Sequence, residues 1–255
     1  MPHSATPFAR TCVLAFAVLA ASVAGCSSGD GGDSGGKAAA PRVQTALPPP
    51  SVYVAVGASE TAGVGADLPE QAWPEVLLRT RLPEGTAFTN VGIPGATVSQ
   101  ALQQELPRAL SVGPTLVTVW LNVNDLIAGV PAQTYETQLR QLVRAVRREG
   151  ATKVLVANTP PLHILPSYVS CRRQPAGGCG LATLLPPEAV AAAVDSYNAA
   201  IRRVTAAEGA ILVDLHGASL RSQAAGEWDA LVGRDGFHPS TLGHRAVADS
   251  FGSAL

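Results

Sequence analysis

Ser51-Val52-Tyr53-Val54-Ala55-Val56 is a short β-rich run that stops at Gly57-Ala58-Ser59. Its branched and aromatic side chains suit a strand, and the glycine marks its end. The segments that follow alternate in kind. Residues 71–81 carry Trp73, Val76, Leu77 and Thr80 at helical spacing, and 87–90 form a brief second strand. A helix over 98–110 ends at Gly113-Pro114, and 115–121 read as a buried strand. Residues 134–149 give the clearest helix, with Leu139, Leu142, Val143 and Val146 on its apolar face and Gly150 as its stop. A strand over 153–157, a long helix over 187–208, a strand over 210–213 and a closing helix over 240–251 complete the pattern. Such alternation predicts an α/β fold: a three-layer α/β/α sandwich around a central parallel sheet. Ligands of such folds bind beyond the carboxyl ends of the strands.

The first fifty residues are of another kind. Arg10 precedes an apolar stretch from Val13 to Ala24, too short to span a bilayer comfortably. The stretch ends in Val23-Ala24-Gly25-Cys26, which resembles the lipobox of bacterial lipoproteins. That resemblance implies a signal peptide over 1–25 and lipid on Cys26; an ordinary signal peptide with a chance cysteine is the plainer alternative. Residues 26–50 are rich in Gly, Ser, Ala and Pro and have no hydrophobic periodicity. As a flexible tether they would span about 25–30 Å. The expected organisation is therefore signal, tether and one domain over 51–255, long enough for a sizeable core. The implied location is the outer side of the cytoplasmic membrane or the cell envelope, with membrane contact through the anchor.

Net charge is −1 and only 15% of residues are charged, so nothing predicts a nucleic-acid partner. Within the domain only Cys171 and Cys179 remain, around an irregular Arg172–Gly178 stretch. In an exported chain this reads as a disulfide closing a small loop, worth about 2–3 kcal/mol by loop entropy. The rival is a metal pair, for which nearby histidines are missing.

Four segments stand at the predicted strand ends or near the C-terminus: Gly57-Ala58-Ser59, then Asn90 to Thr97 with Gly92 and Gly95, then Asn122-Val123-Asn124-Asp125, then Asp235-Gly236-Phe237-His238-Pro239. A serine becomes a nucleophile only when a base takes its proton and a third group orients that base. Taken singly, Ser59 reads equally as a helix cap, Gly95 and Asp235-Gly236 as turns, and His238 as a surface histidine. In this order the four segments resemble the four blocks of the SGNH (GDSL-type) hydrolases over residues 51–255. The resemblance implies a flavodoxin-like sheet, Ser59 as nucleophile, His238 as base and Asp235 as its orienting acid. It places the oxyanion donors on the backbone N–H groups of Ser59 and Gly95 and on the side-chain amide of Asn124. Two positions depart from the family pattern. Ala58 stands where an aspartate is usual, and Asn122 where a glycine is usual. The Gly-x-Ser-x-Gly elbow of α/β-hydrolases is absent.

The implied activity is hydrolysis of a carboxylic ester, with no metal and no cofactor. A transferase passing the acyl group to an envelope sugar, and a catalytically silent binding lipoprotein, remain as alternatives. Acetylated polysaccharides, short esters and lysophospholipids all suit the catalytic group, and oligomeric state is unreadable. Residues 97–102, the loop after Asn124 and the proline-rich 159–186 segment are the expected pocket walls. Glu60 is expected to face solvent or the substrate mouth without a role, and His244 to be solvated. Arg172 and Arg173 are expected on a solvated loop. No role falls on Asp214, His216 or His163.

Overall fold

The computed structural model describes Pro49, residues 51–174 and residues 185–255. Five strands, β1 (Val52–Gly57), β2 (Ala87–Asn90), β3 (Leu116–Trp120), β4 (Lys153–Ala157) and β5 (Ile211–Val213), form one sheet in the order β2-β1-β3-β4-β5. Every neighbouring pair is parallel. Central parallel strands are covered on both faces, which is why β1 and β3 are nearly continuous apolar runs rather than alternating ones. Successive residues still divide between the faces. Val54, Val56, Val117 and Val119 enter one core, and Tyr53, Ala55, Leu116 and Trp120 the other.

Ten helices accompany the strands among the described residues: α1 (Ser59–Ala62), α2 (Trp73–Arg81), α3 (Val98–Ser111), α4 (Val123–Ile127), α5 (Ala132–Arg147), α6 (Pro166–Arg173), α7 (Pro187–Glu208), α8 (Leu215–Ala224), α9 (Trp228–Leu231) and α10 (Thr241–Gly252). Helices α3, α5 and α7 cover the first face, and α2, α8 and α10 the second. The apolar stripe of α5 explains its place: Tyr135, Leu139, Leu142, Val143 and Val146 are all fully buried. Each contributes about 1.5–3 kcal/mol by burial, and truncating Leu142 to alanine would cost about 2–5 kcal/mol. On the second face Trp73 of α2 stacks on Phe251 of α10 at 4.4 Å.

The expected elements lie within about two residues of the observed ones. Helix α5 stops at Arg147 rather than at Gly150, because Arg148 and Glu149 adopt positive φ (49° and 58°). Arg147 bonds the carbonyl of Glu208 and Arg148 that of Pro114, which fastens this end of the helix to its neighbours. Helices α1, α4, α6, α8 and α9 were not anticipated. Arg172 and Arg173 therefore close helix α6, which starts with Pro166 at its first position, rather than riding on an irregular loop. After β1 the chain crosses to β2 on one side and then to β3 on the other. The strand order reverses between β1 and β3, and it is at such a reversal that a crevice opens.

Candidate active site

Ser59 is set by the turn that ends β1. A side chain at Gly57 would place its Cβ 2.0 Å from Thr61 Oγ1, so only glycine lets α1 fold back this tightly. The Gly57 carbonyl accepts the N–H of Ile93 at 3.0 Å, and its own N–H goes to Glu105 Oε2 at 2.9 Å. The end of β1, the loop at Ile93 and helix α3 are thereby locked together. Ser59 opens α1 and is 9% exposed. As a first-turn residue its N–H has no intrahelical acceptor.

The C-terminal segment delivers His238 and Asp235 to the same place. Gly236 has φ 72°, and a Cβ there would meet the backbone N of Ser167 at 2.7 Å. Asp235 Oδ1 accepts the N–H groups of Phe237 and His238 at 2.9 and 3.0 Å, and its Oδ2 lies 2.5 Å from His238 Nδ1. The carboxylate makes Nδ1 the protonated ring nitrogen and leaves Nε2 as the acceptor. Nε2 is 3.0 Å from Ser59 Oγ. Partial burial raises the Asp235 carboxyl, but the hydrogen bonds from His238 and Phe237 outweigh it and hold the group below its ordinary value. It stays ionised wherever the imidazole needs an anion beside it.

The segments that carry the donors expected to face a developing negative charge are tied to one another. Ile93-Pro94-Gly95-Ala96 is a turn closed by Ala96 N–H to the Ile93 carbonyl at 3.0 Å, with Gly95 at φ 81°. Proline followed by a positive-φ glycine is the signature of a type II turn, which requires glycine at 95. Asn124 gives one amide hydrogen to the Ala96 carbonyl at 3.1 Å, which ties its side chain to the Gly95 turn and leaves the other hydrogen available. Asp125 fixes the same region from below. Its two oxygens accept Val98 N–H at 3.0 and 3.2 Å, holding the start of α3, and burial pushes its carboxyl up to about 6.

Three acidic side chains near the site are buried: Glu60, Glu105 and Asp125. Of the two places expected for Glu60, solvent or the substrate mouth, solvent is excluded, for it is 8% exposed. Ser59 Oγ lies 3.3 Å from its Oε2. Burial raises its carboxyl above the ordinary value. It walls an apolar cleft formed with Trp120, Val123, Leu162, Trp228 and Phe237. Leu162 and Leu165 bring part of the expected 159–186 wall to this cleft. Nothing in the residue order marks Glu60 as buried. Glu105 had a readable signal, since it sits in the buried stripe Val98, Ala101, Glu105, Ala109 of α3.

His244 is also corrected. It is fully buried, accepting the N–H of Trp73 through Nδ1 and meeting the Val64 carbonyl through Nε2. Burial lowers its pKa, as a neutral structural histidine requires. Asp214 and His216 serve the ends of β4 and β5: Asp214 caps α8 and bonds Asn158, and His216 bonds Asn158 and Thr159. Among the described residues no group of three or more His, Cys, Asp or Glu side chains is placed to hold a metal ion, and no helix is long and apolar enough to cross a membrane. The expected signal peptide, Cys26 and the tether up to residue 48 lie outside the described residues, as does Cys179, the expected partner of Cys171.

A five-stranded parallel sheet of order 2-1-3-4-5, with a serine after β1 and an Asp-x-x-His segment before the last helix, defines an α/β protein of the hydrolase type. Residues 55–246 match the family model of the GDSL-like Lipase/Acylhydrolase family, and the chain belongs to that family. Solved structures share the fold. A GDSL-like lipase-family protein from Parabacteroides merdae is 18% identical with a TM-score of 0.64, over 82% of this chain and 97% of its own. Phospholipase A1 from Streptomyces albidoflavus is 19% identical with a TM-score of 0.60, over 81% and 100%. The psychrotrophic esterase EstA from Pseudoalteromonas is 17% identical with a TM-score of 0.58, over 80% and 96%. No curated protein matches the sequence significantly.

Proposed function

We propose that the protein is an exported, lipid-anchored serine esterase. The observation that carries this reading is the continuous line from Asp235 through His238 to Ser59 Oγ, with contacts of 2.5 and 3.0 Å. His238 Nε2 takes the Ser59 proton as Oγ bonds to the ester carbonyl carbon. The resulting oxyanion meets the N–H groups of Ser59 and Gly95 and the free amide hydrogen of Asn124. On collapse the C–O bond to the alcohol breaks, and His238 hands its proton to the departing oxygen. A water then gives its proton to His238 and attacks the acyl-enzyme, and the acid leaves as the proton returns to Ser59. Each proton taken is given back, so the cycle consumes only ester and water.

Cys26, as the lipidated residue, would tether the domain to the outer face of the membrane, and a Cys171–Cys179 bridge would stiffen the segment beside the cleft. Family membership and the apolar cleft support a lipid or other small ester as substrate. Fluorophosphonate labelling of the full-length protein, with the adduct located by mass spectrometry, tests the reading without a guessed substrate. Labelling at Ser59 that vanishes in His238→Ala is the expected result. A folded protein that takes no label would overturn the enzyme reading and favour a silent binding protein.

A further inference from the structure

Glu60 lies in an unusual place for an acid. It is buried beside the reacting hydroxyl, and it is the one ionisable side chain lining the cleft, whose other polar walls are Ser219, Ser222 and Ser250. Among the described residues no lysine or arginine pairs with it; the charged groups acting on it are His238 and Asp235. The geometry of ester attack decides what it meets. The carbonyl carbon stands about 3–3.5 Å from Oγ in a reactive complex. Its oxygen points to the backbone donors and Asn124, and its leaving oxygen to His238 Nε2. An acyl chain given the remaining direction runs toward Glu60, the residue that joins Ser59 to the cleft. With Oε2 already 3.3 Å from Ser59 Oγ, atoms one or two bonds beyond the carbonyl carbon come within hydrogen-bond reach of the carboxyl.

In the free protein that carboxyl accepts from the Ser59 hydroxyl and from its own backbone N–H; acylation of Ser59 removes the first hydrogen, and an all-methylene chain would then seal the carboxyl from water with one partner fewer, which is unfavourable. An ammonium group would require an ionised Glu60 and a buried ion pair, whose desolvation offsets its attraction. A hydroxyl both donates to and accepts from a neutral carboxyl, and needs no charge in an apolar space. We propose that Glu60 is a specificity-determining residue that holds a hydroxyl on the second or third carbon of an acyl chain lying in this cleft. This rests on the esterase reading above. Burial favours the neutral, donating form of the carboxyl that this role uses.

The test compares the p-nitrophenyl esters of butyrate and 3-hydroxybutyrate on the full-length protein. Wild type should favour the hydroxy ester at least tenfold in kcat/KM, carried mainly by KM. Glu60→Leu and Glu60→Met, which keep the bulk and remove the hydrogen bond, should each lower that preference tenfold or more. Glu60→Gln, whose amide still donates and accepts, should keep most of it. The ratio is internal to each variant, so a general loss of active protein cancels. Equal rates on the two esters in wild type, or a preference unchanged in the leucine and methionine variants, would overturn the proposal while leaving the esterase standing. Cleavage of neither ester would overturn it as well, and fluorophosphonate labelling at Ser59 then reports separately whether the hydrolase reading survives.

Discussion

Gly57 donates its backbone N–H to Glu105 Oε2 at 2.9 Å, so a fully buried acid on α3 holds the residue two places before Ser59. Its other oxygen has no partner. Burial pushes the carboxyl from its usual 4.5 up to about 8. Between those values the folded protein keeps a proton that the unfolded chain has released. Stability therefore falls as pH rises through that window and levels off above it. Glutamine keeps the acceptor for Gly57 and removes the titration. Glu105→Gln should gain on wild type progressively from pH 4.5 to 8, reaching roughly 2–4 kcal/mol, below the limit of about 5 kcal/mol set by the full shift. Urea unfolding at several pH values measures this, and a pH-independent difference would refute it. Glu105→Leu should instead lower kcat, because the Gly57 N–H loses its acceptor.

Asp235 is half exposed, with 48% of its side chain open to solvent. Its proposed role as orienting acid nevertheless depends on a charge that an amide lacks. Asp235→Asn can still accept a backbone N–H, so the turn should persist. The imidazole would lose the anion that fixes its tautomer. We expect kcat to fall by about 10²–10⁴ with KM little changed. Steady-state kinetics on any cleaved ester decides it; a loss confined to KM would mean that Asp235 acts on binding instead.

The sheet was legible because its strands are short apolar runs bounded by glycine, and its main helices carry long periodic stripes. Helices α1, α4, α8 and α9 were not, since four to ten residues around a strand end show little periodicity and are shaped by packing. The positions of Ser59, Gly95, Asn124, Asp235 and His238 were legible only jointly, through their order. Glu60 was hidden because burial of a charged residue after a serine depends on distant segments, here those that bring Trp120, Val123 and Phe237 to the same cleft. His244 did leave a trace: His244, Ala248 and Phe251 share one buried stripe of α10, at i, i+4 and i+7.

Asn124 binds the Ala96 carbonyl and so couples its free amide hydrogen to the Gly95 turn. Asn124→Ala removes one proposed oxyanion donor and loosens that turn. A loss of about 10²–10³ in kcat is expected, with labelling at Ser59 retained but slower. Full activity in the alanine variant would exclude the amide from the oxyanion site.

Asn122 stands where the family usually has glycine, yet its φ of −165° is extended backbone open to any residue. The side chain is buried, gives one long hydrogen bond to the Ala157 carbonyl at 3.3 Å, and leaves Oδ1 without a partner. It caps nothing on α4. The gain and the cost of this amide nearly cancel, so Asn122→Gly should lose only about 1 kcal/mol, chiefly through backbone entropy. Catalysis should change by less than about threefold, since neither Ser59 nor Asn124 leans on this side chain. Thermal melts and ester kinetics together check this; a large rise in kcat would mark Asn122 as a brake.

Ala58 is the other departure, and here restoring the usual residue should be harmful. Its side chain is 4% exposed and packs in the apolar cluster with Val56, Val91 and Ala96. An aspartate placed there would carry its charge into apolar packing, beside the buried carboxyl of Glu60, and both oppose its ionisation. Ala58→Asp should destabilise the fold by about 3 kcal/mol or more and raise the introduced carboxyl well above its ordinary range. The loss should deepen as pH rises and ionisation is forced. Chemical unfolding at pH 5 and pH 8 separates this from simple overpacking, which would cost the same at both.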